Sequence, residues 1–220
     1  MRLHKKNKKG RVIDLDKKII LASASPRRKE LMTLAGYTFE VKVSEKEECY
    51  KSNIPEEIVK ELALQKAEDV AGRTAKKKLV VIGADTVVAV DQEILGKPKT
   101  EEEAFAMIRK IAGRTHQVYT GVAVLNFDDT GKCTVASHAV KTDVTVYPMT
   151  DKEIQTYLSS EEVMDKAGAY GIQGRFAVFI EKIDGDYYNV MGLPISYLYH
   201  VLEDGNQLAE ESDVLRTVGK

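Results

Sequence analysis

Two serines and two arginines lie within the segment Ser23-Ala24-Ser25-Pro26-Arg27-Arg28, directly after the apolar run Ile19-Ile20-Leu21. Hydroxyls donate to phosphate oxygens and guanidinium forks pair with them, so this spacing could hold a phosphate. Ser25 suits a helix N-cap, Pro26 the first helical position, and Gly36 a stop after Leu31, Leu34 and Ala35. A helix starting there would aim its free first-turn amides and the positive end of its dipole at the same spot. The same residues read equally as a capped helix with two solvated arginines.

A carboxylate comes next in chemical interest. Asp85 follows Leu79-Val-Val-Ile82 and the small residues Gly83 and Ala84, which places it at the polar end of a buried strand with room for a ligand. There it could hold Mg²⁺ or orient a water, or it could simply brace a turn. Lys66 falls on a helical face with Leu62 and Ala63, and Lys97 sits between Gly96 and Pro98; both are ordinary solvated lysines unless something gathers them. Gln173 lies among Gly168, Gly171 and Gly174, where its amide could read a base edge or brace the loop. That glycine spacing matches neither a dinucleotide fingerprint nor a P-loop. There is no His-Glu-x-x-His and no Gly-x-Ser-x-Gly elbow, and the four histidines are scattered. Cys49 stands beside Glu48, whose charge would disfavour a thiolate.

The elements that must position these groups follow from periodicity. Strands are expected at 19–21 and 79–85, and a long antiparallel hairpin from 118–127 and 134–146 through Asp128-Asp-Thr-Gly131. Helices are expected around Ile58–Lys66, from Thr100 to Gly113, from Thr150 through Leu158, and after Pro194. Thr100 with Glu103, and Thr150 with Glu153, have capping-box spacing. Residues 176–183 and 187–190 read as a second hairpin turning at Asp184-Gly185. This order predicts an α/β fold, a mixed twisted sheet with flanking helices.

Of the 33 Lys and Arg and 34 Asp and Glu, eight basic and two acidic residues fall within 1–18, leaving 25 basic and 32 acidic in the rest. The expected organisation is a disordered basic extension over 1–17, one domain over 18–208 and a polar tail over 209–220. The extension could be a nucleic-acid or nuclear address, or merely solvated; the acidic body argues against nucleic acid as its partner. No apolar run approaches the roughly 18 residues that a membrane span needs, and no secretory leader is seen. Two distant cysteines suggest a reducing compartment, and the expected location is cytoplasmic.

Seven segments, in order, resemble the Maf family of nucleoside triphosphate pyrophosphatases, first known from septum formation. They are Leu-Ala-Ser-Ala-Ser-Pro-Arg-Arg at 21–28, Leu-Ala-Leu-Gln-Lys-Ala at 62–67, Gly-Ala-Asp-Thr-Val-Val at 83–88 and Leu-Gly-Lys-Pro at 95–98. Beyond them stand Gly-Arg-Thr-His-Gln-Val-Tyr-Thr-Gly at 113–121, Asp-Lys-Ala-Gly-Ala-Tyr-Gly-Ile-Gln-Gly at 165–174 and Gly-Asp-Tyr-Tyr-Asn-Val-Met-Gly-Leu-Pro at 185–194. The resemblance implies two lobes around a cleft, a fold related to inosine triphosphate pyrophosphatases, and a homodimer. It implies hydrolysis between the α and β phosphates with Mg²⁺ or Mn²⁺. By position, Asp85 matches the catalytic proton acceptor, acting with Glu48, Lys66 and Lys97. Asp85 and Glu48 match the metal partners, Ser23, Arg27, Arg28, Lys66 and Lys97 the phosphate-binding set, and Thr86 and Gln173 positions tied to substrate choice. The 165–174 segment resembles the dTTP- and UTP-preferring subgroup; a subgroup using 7-methyl-GTP typically carries glutamate where Gln173 stands. The competing readings are a nucleotide-binding regulator of cell division and septum formation with little or no turnover, and a 7-methyl-GTP-preferring pyrophosphatase. The lysine-rich extension has no counterpart in the resemblance.

Overall fold

The twelve-residue strand Leu79–Val90 organises a seven-stranded sheet in a computed structural model that describes residues 17–160 and 163–204. In chain order the strands are β1 (Lys18–Leu21), β2 (Glu40–Val41), β3 (Leu79–Val90), β4 (Glu93–Leu95), β5 (Thr115–Phe127), β6 (Cys133–Val146) and β7 (Ile180–Asp184). The helices are α1 (Pro26–Leu34), α2 (Pro55–Gly72), α3 (Glu101–Ile111), α4 (Asp151–Leu158), α5 (Tyr187–Met191) and α6 (Ile195–Asp204). The sheet runs β2-β1-β3-β5-β6-β7, with β4 added beside β3. Of the basic extension expected over 1–17 only Lys17 is among the described residues, and the tail expected over 209–220 lies outside them, as do residues 205–208.

β3 is almost wholly buried because both sheet faces are covered, which is why its sequence reads as a continuous apolar run rather than an alternation. Its side chains nevertheless alternate. Val80, Ile82, Ala84 and Val88 enter a large core with Leu31 and Met32 of α1, Ile108 of α3, Ile154 of α4 and Leu198 of α6. Leu79 and Val81 face the other way, onto Ala63, Ala67, Val70 and Ala71 of α2.

The register of β3 makes the site. β5 takes one whole edge, from Leu79↔Phe127 to Ala89↔Gln117. On the opposite edge β1 pairs only from Lys18↔Leu79 to Leu21↔Ile82, and β4 pairs only with Val88 to Val90. Among the described residues, 83–87 therefore have no strand beside them on that edge. Asp85 lies within this gap in mid-strand, which corrects its expected place at a strand end. β1, not β3, is the strand that stops here, so the carboxylate still lies beyond a strand's carboxyl end.

The expected hairpin of 176–183 with 187–190 is also corrected. β7 pairs with β6, and Tyr187–Met191 is a helix. Asp186 caps it by accepting from the Tyr188 N–H, and Gly192 ends it at φ 107°, a conformation open chiefly to glycine. The β5–β6 hairpin and the helices after Thr100, Thr150 and Pro194 form as their patterns predict.

Candidate active site

Glycine lets α2 reach the sheet. A Cβ on Gly83 would lie 2.0 Å from the Ala63 carbonyl oxygen, and one on Gly121, opposite Asp85 on β5, would lie 2.2 Å from that of Val59. Backbone thus packs on backbone, and Lys66, one turn beyond Ala63, arrives beside Asp85. The smallness of Gly83 serves the helix rather than a ligand, contrary to the sequence expectation. Lys66 Nζ lies 2.5 Å from Asp85 Oδ1 and 2.8 Å from Oε1 of Glu48, on the segment after β2. One ammonium joins two carboxylates from opposite directions along the chain, Glu48 before it and Asp85 19 residues after it.

Facing this trio is the start of α1. Arg28 Nε donates to the Gly192 carbonyl (2.7 Å), Nη1 to Ser23 Oγ (3.0 Å) and Nη2 to Thr86 Oγ1 (3.0 Å). Ser25 holds the N-cap position, but its side chain makes no cap bond. Its backbone N–H instead donates to Ser23 Oγ (3.3 Å). The first-turn amides of α1 thus receive no side-chain cap, as an anion-binding helix start requires. Arg27 reaches across to Asp165, 3.4 Å away.

These residues line one cleft with two compartments. The first, with about 760 Å³ of empty space partly open to solvent, has Arg27, Lys66, Asp85 and Lys97 at one end. Val88, Val118, Tyr170, Ile172 and Met191 form its apolar walls. The second is bounded by Ser23, Ser25, Arg27, Arg28, Glu48 and Lys97. One end is cationic and polar, the other apolar; a polyphosphate with a flat ring attached has the same division.

Burial alone would raise the Glu48 carboxyl, but the hydrogen bond and charge of Lys66, with the charges of Lys97 and Arg28, hold it below the usual carboxylate range. Burial draws Arg28 below the ordinary guanidinium value, opposed by Asp85 and Glu48; it starts so high that it stays charged. Burial likewise works to raise Asp165, and Lys166 and Arg27 outweigh it. Glu48 and Asp165 are thus each held as carboxylates by the cations beside them.

Ser23, Arg27, Arg28, Glu48, Lys66, Asp85, Thr86 and Lys97 all reach this cleft. Gln173 does not: it is exposed and lines neither compartment, because Ile172 and Phe176 take the inward positions of that turn. Sequence reasoning missed Asp165, which lines both compartments, since a single aspartate before a lysine carries no spacing signal. It also missed the Gly192 carbonyl, which no side-chain pattern can announce. Among the described residues no three His, Cys, Asp or Glu side chains gather to hold a metal. Two carboxylates sharing one ammonium nonetheless fit Mg²⁺ or Mn²⁺, ions commonly held by one or two carboxylates plus substrate phosphates.

A mixed sheet whose broken edge gathers paired carboxylates, lysines and arginines defines a class of protein that grips and processes a polyphosphate. Residues 18–205 match the family described as Maf-like protein, and the chain belongs to the Maf family. It is 50% identical over 193 residues to a dTTP/UTP pyrophosphatase of Bacillus cereus (strain ATCC 10987 / NRS 248), covering 86% of this chain and 91% of the relative. It is 50% identical over 190 residues to a dTTP/UTP pyrophosphatase of Bacillus mycoides (strain KBAB4), covering 85% and 95%. A solved structure of a nucleoside-triphosphatase / dITP/XTP pyrophosphatase from Mycobacterium abscessus aligns over 58% of this chain and 74% of its own, at 19% identity and TM-score 0.37, a likeness too slight to bear on the site. No helix among the described residues is long and apolar enough to cross a membrane.

Proposed function

We propose that this chain hydrolyses the bond between the α and β phosphates of a nucleoside triphosphate, dTTP and UTP foremost, giving a nucleoside monophosphate and pyrophosphate. The observation that carries the reading is the Asp85–Lys66–Glu48 trio facing Ser23 and Arg28 across one cleft. Relatives named dTTP/UTP pyrophosphatase at half identity over most of both chains support it.

Ser23, Arg27, Arg28 and Lys97 bind the phosphates, and the apolar compartment takes the base. Asp85 orients a water and accepts its proton as the oxygen attacks the α phosphorus. The bond from that phosphorus to the bridging oxygen breaks, and pyrophosphate leaves with the electron pair, its charge met by Lys66, Lys97 and the arginines. A magnesium or manganese ion, when bound by Asp85 and Glu48, supplies further neutralisation of the phosphate charge. Gln173 is given no contact in this scheme, because it stands outside the cleft lining. The resemblance also supports a single domain over 18–208 and a homodimer in the cytoplasm; light scattering checks the assembly.

The test is pyrophosphate release from a panel of standard and modified nucleotides with Mg²⁺ or Mn²⁺. The expected result is release led by dTTP and UTP and abolished by EDTA. Tight binding without release would replace this reading by the regulatory one, and a lead for 7-methyl-GTP would move the chain to the other subgroup.

A further inference from the structure

Behind the cleft wall, wholly buried hydroxyl and amide groups connect α5 to the centre of the sheet, and they end on Arg28. We infer that Thr120 and Asn189 are positioning residues for Arg28, acting through a one-way chain of hydroxyl donations. That chain commits the Thr86 proton to the protein and leaves the Ser23 proton for the ligand.

The directions follow from counting protons. Arg28 only donates, so Thr86 Oγ1 accepts from its Nη2. Thr86 Oγ1 lies 2.9 Å from Thr120 Oγ1, which lies 2.9 Å from the Asn189 carbonyl oxygen. A carbonyl only accepts, and Thr120 has one proton. If Thr120 donates to Asn189, the Thr86 hydroxyl must donate to Thr120. In the reverse arrangement Thr120 donates to Thr86 and the Asn189 carbonyl keeps only the Gly192 N–H at 2.9 Å. The first arrangement makes one more hydrogen bond inside the protein, among groups with no exposed surface at Thr120 and Asn189. Thr86 then has no proton to offer a ligand, and it shapes the site through Arg28.

Asn189 is itself pinned. Its Nδ2 donates to the Val118 carbonyl (3.0 Å) and to Thr142 Oγ1 (2.9 Å), while Thr142 also accepts from the Asp186 N–H (3.0 Å) and donates to the Asp186 carbonyl (3.1 Å). Thr142 thereby uses its full bonding capacity. The N-cap and the middle of α5 are thus fixed to the hairpin, and the Gly192 carbonyl that follows the helix takes Arg28 Nε. Three of the five guanidinium N–H bonds are spent on the scaffold and two remain for a ligand. Ser23 is the complement of Thr86: its oxygen accepts from Arg28 and from the Ser25 N–H, which leaves its proton to donate into the phosphate compartment.

This inference rests on the proposed reaction for its kinetic test but has a second readout that does not. Thr120→Val removes the hydroxyl at nearly constant volume and should lower kcat/KM for pyrophosphate release from dTTP roughly tenfold, the scale of one hydrogen bond. Thr120→Ser should recover most of that loss, and Thr120→Ala gives the same comparison should the valine variant not fold. In an Arg28→Ala background, Thr120→Val should change kcat/KM by less than about twofold, because the residue through which it acts is gone. A loss of undiminished size in that background, or a Thr120→Val enzyme at the wild-type kcat/KM, would overturn the inference. Proton–nitrogen NMR of the Arg28 Nε–H supplies the second readout. The signal should shift and exchange with solvent faster in Thr120→Val, and an unchanged signal would also overturn it. If no nucleotide is turned over by the wild type, the proposed function fails while the NMR comparison still decides the relay.

Discussion

Lys66 sets the electrostatics of the site, because a single ammonium 2.5 Å from Asp85 and 2.8 Å from Glu48 must serve two carboxylates. The trio keeps a surplus negative charge that a divalent ion with phosphate oxygens would complete. Asp85→Asn removes charge and proton acceptor together yet leaves an oxygen for Lys66, so the fold should survive. Turnover should fall by roughly 10²–10⁴, the range for loss of a general base, read as pyrophosphate release beside an unchanged melting temperature. Residual turnover within a few-fold of wild type would remove Asp85 from that role. Asp85 was visible in the sequence because a carboxylate after an apolar run is an anomaly. Asp165 was not, since nothing local distinguishes it from a surface aspartate, and Gln173 drew attention by its glycines although the turn faces it outward.

At the scale of elements, the decisive contact is α2 on β3 and β5. Any side chain at Gly83 meets the Ala63 carbonyl and the Ala67 N–H, so α2 must lift and carry Lys66 with it. Gly83→Ala should therefore cost about 1–3 kcal/mol or more in urea unfolding and lower turnover beyond what stability explains. A variant with wild-type stability and activity would show that α2 is not held by this close approach. Long elements were legible because many residues vote: β5 and β6 pair from Thr115↔Thr145 to Phe127↔Cys133, as their composition predicts. The gap in β3 was not legible, since it depends on where β1 and β4 end, and β4 has only three residues. α5 failed for a related reason. Five residues carry little periodicity, and the buried bonds of Asn189 that fix them come from distant strands.

For the whole molecule, one buried histidine links stability to pH. His116 on β5 has no exposed surface, its Nε2 is 2.7 Å from the Tyr170 hydroxyl, and its Nδ1 has no hydrogen-bond partner among the described residues. Burial pushes its pKa down from 6.5 to about 4, with Asp143 opposing weakly. Between those values the unfolded chain binds a proton that the folded protein refuses, so stability rises with pH through this window. It is fully present above about 6.5 and is lost as pH falls toward 4, by up to about 3 kcal/mol for this group. Tyr170 also walls the cleft beside Asp85, so charging His116 disturbs a residue that lines it. His116→Gln, which does not titrate, should flatten the pH dependence of the urea midpoint between pH 4 and 6.5 by about one proton's worth. The carboxylates other than Asp143, whose charge is coupled to His116, titrate alike in both proteins and cancel in the comparison, so equal slopes for variant and wild type would show that His116 is not the group responsible.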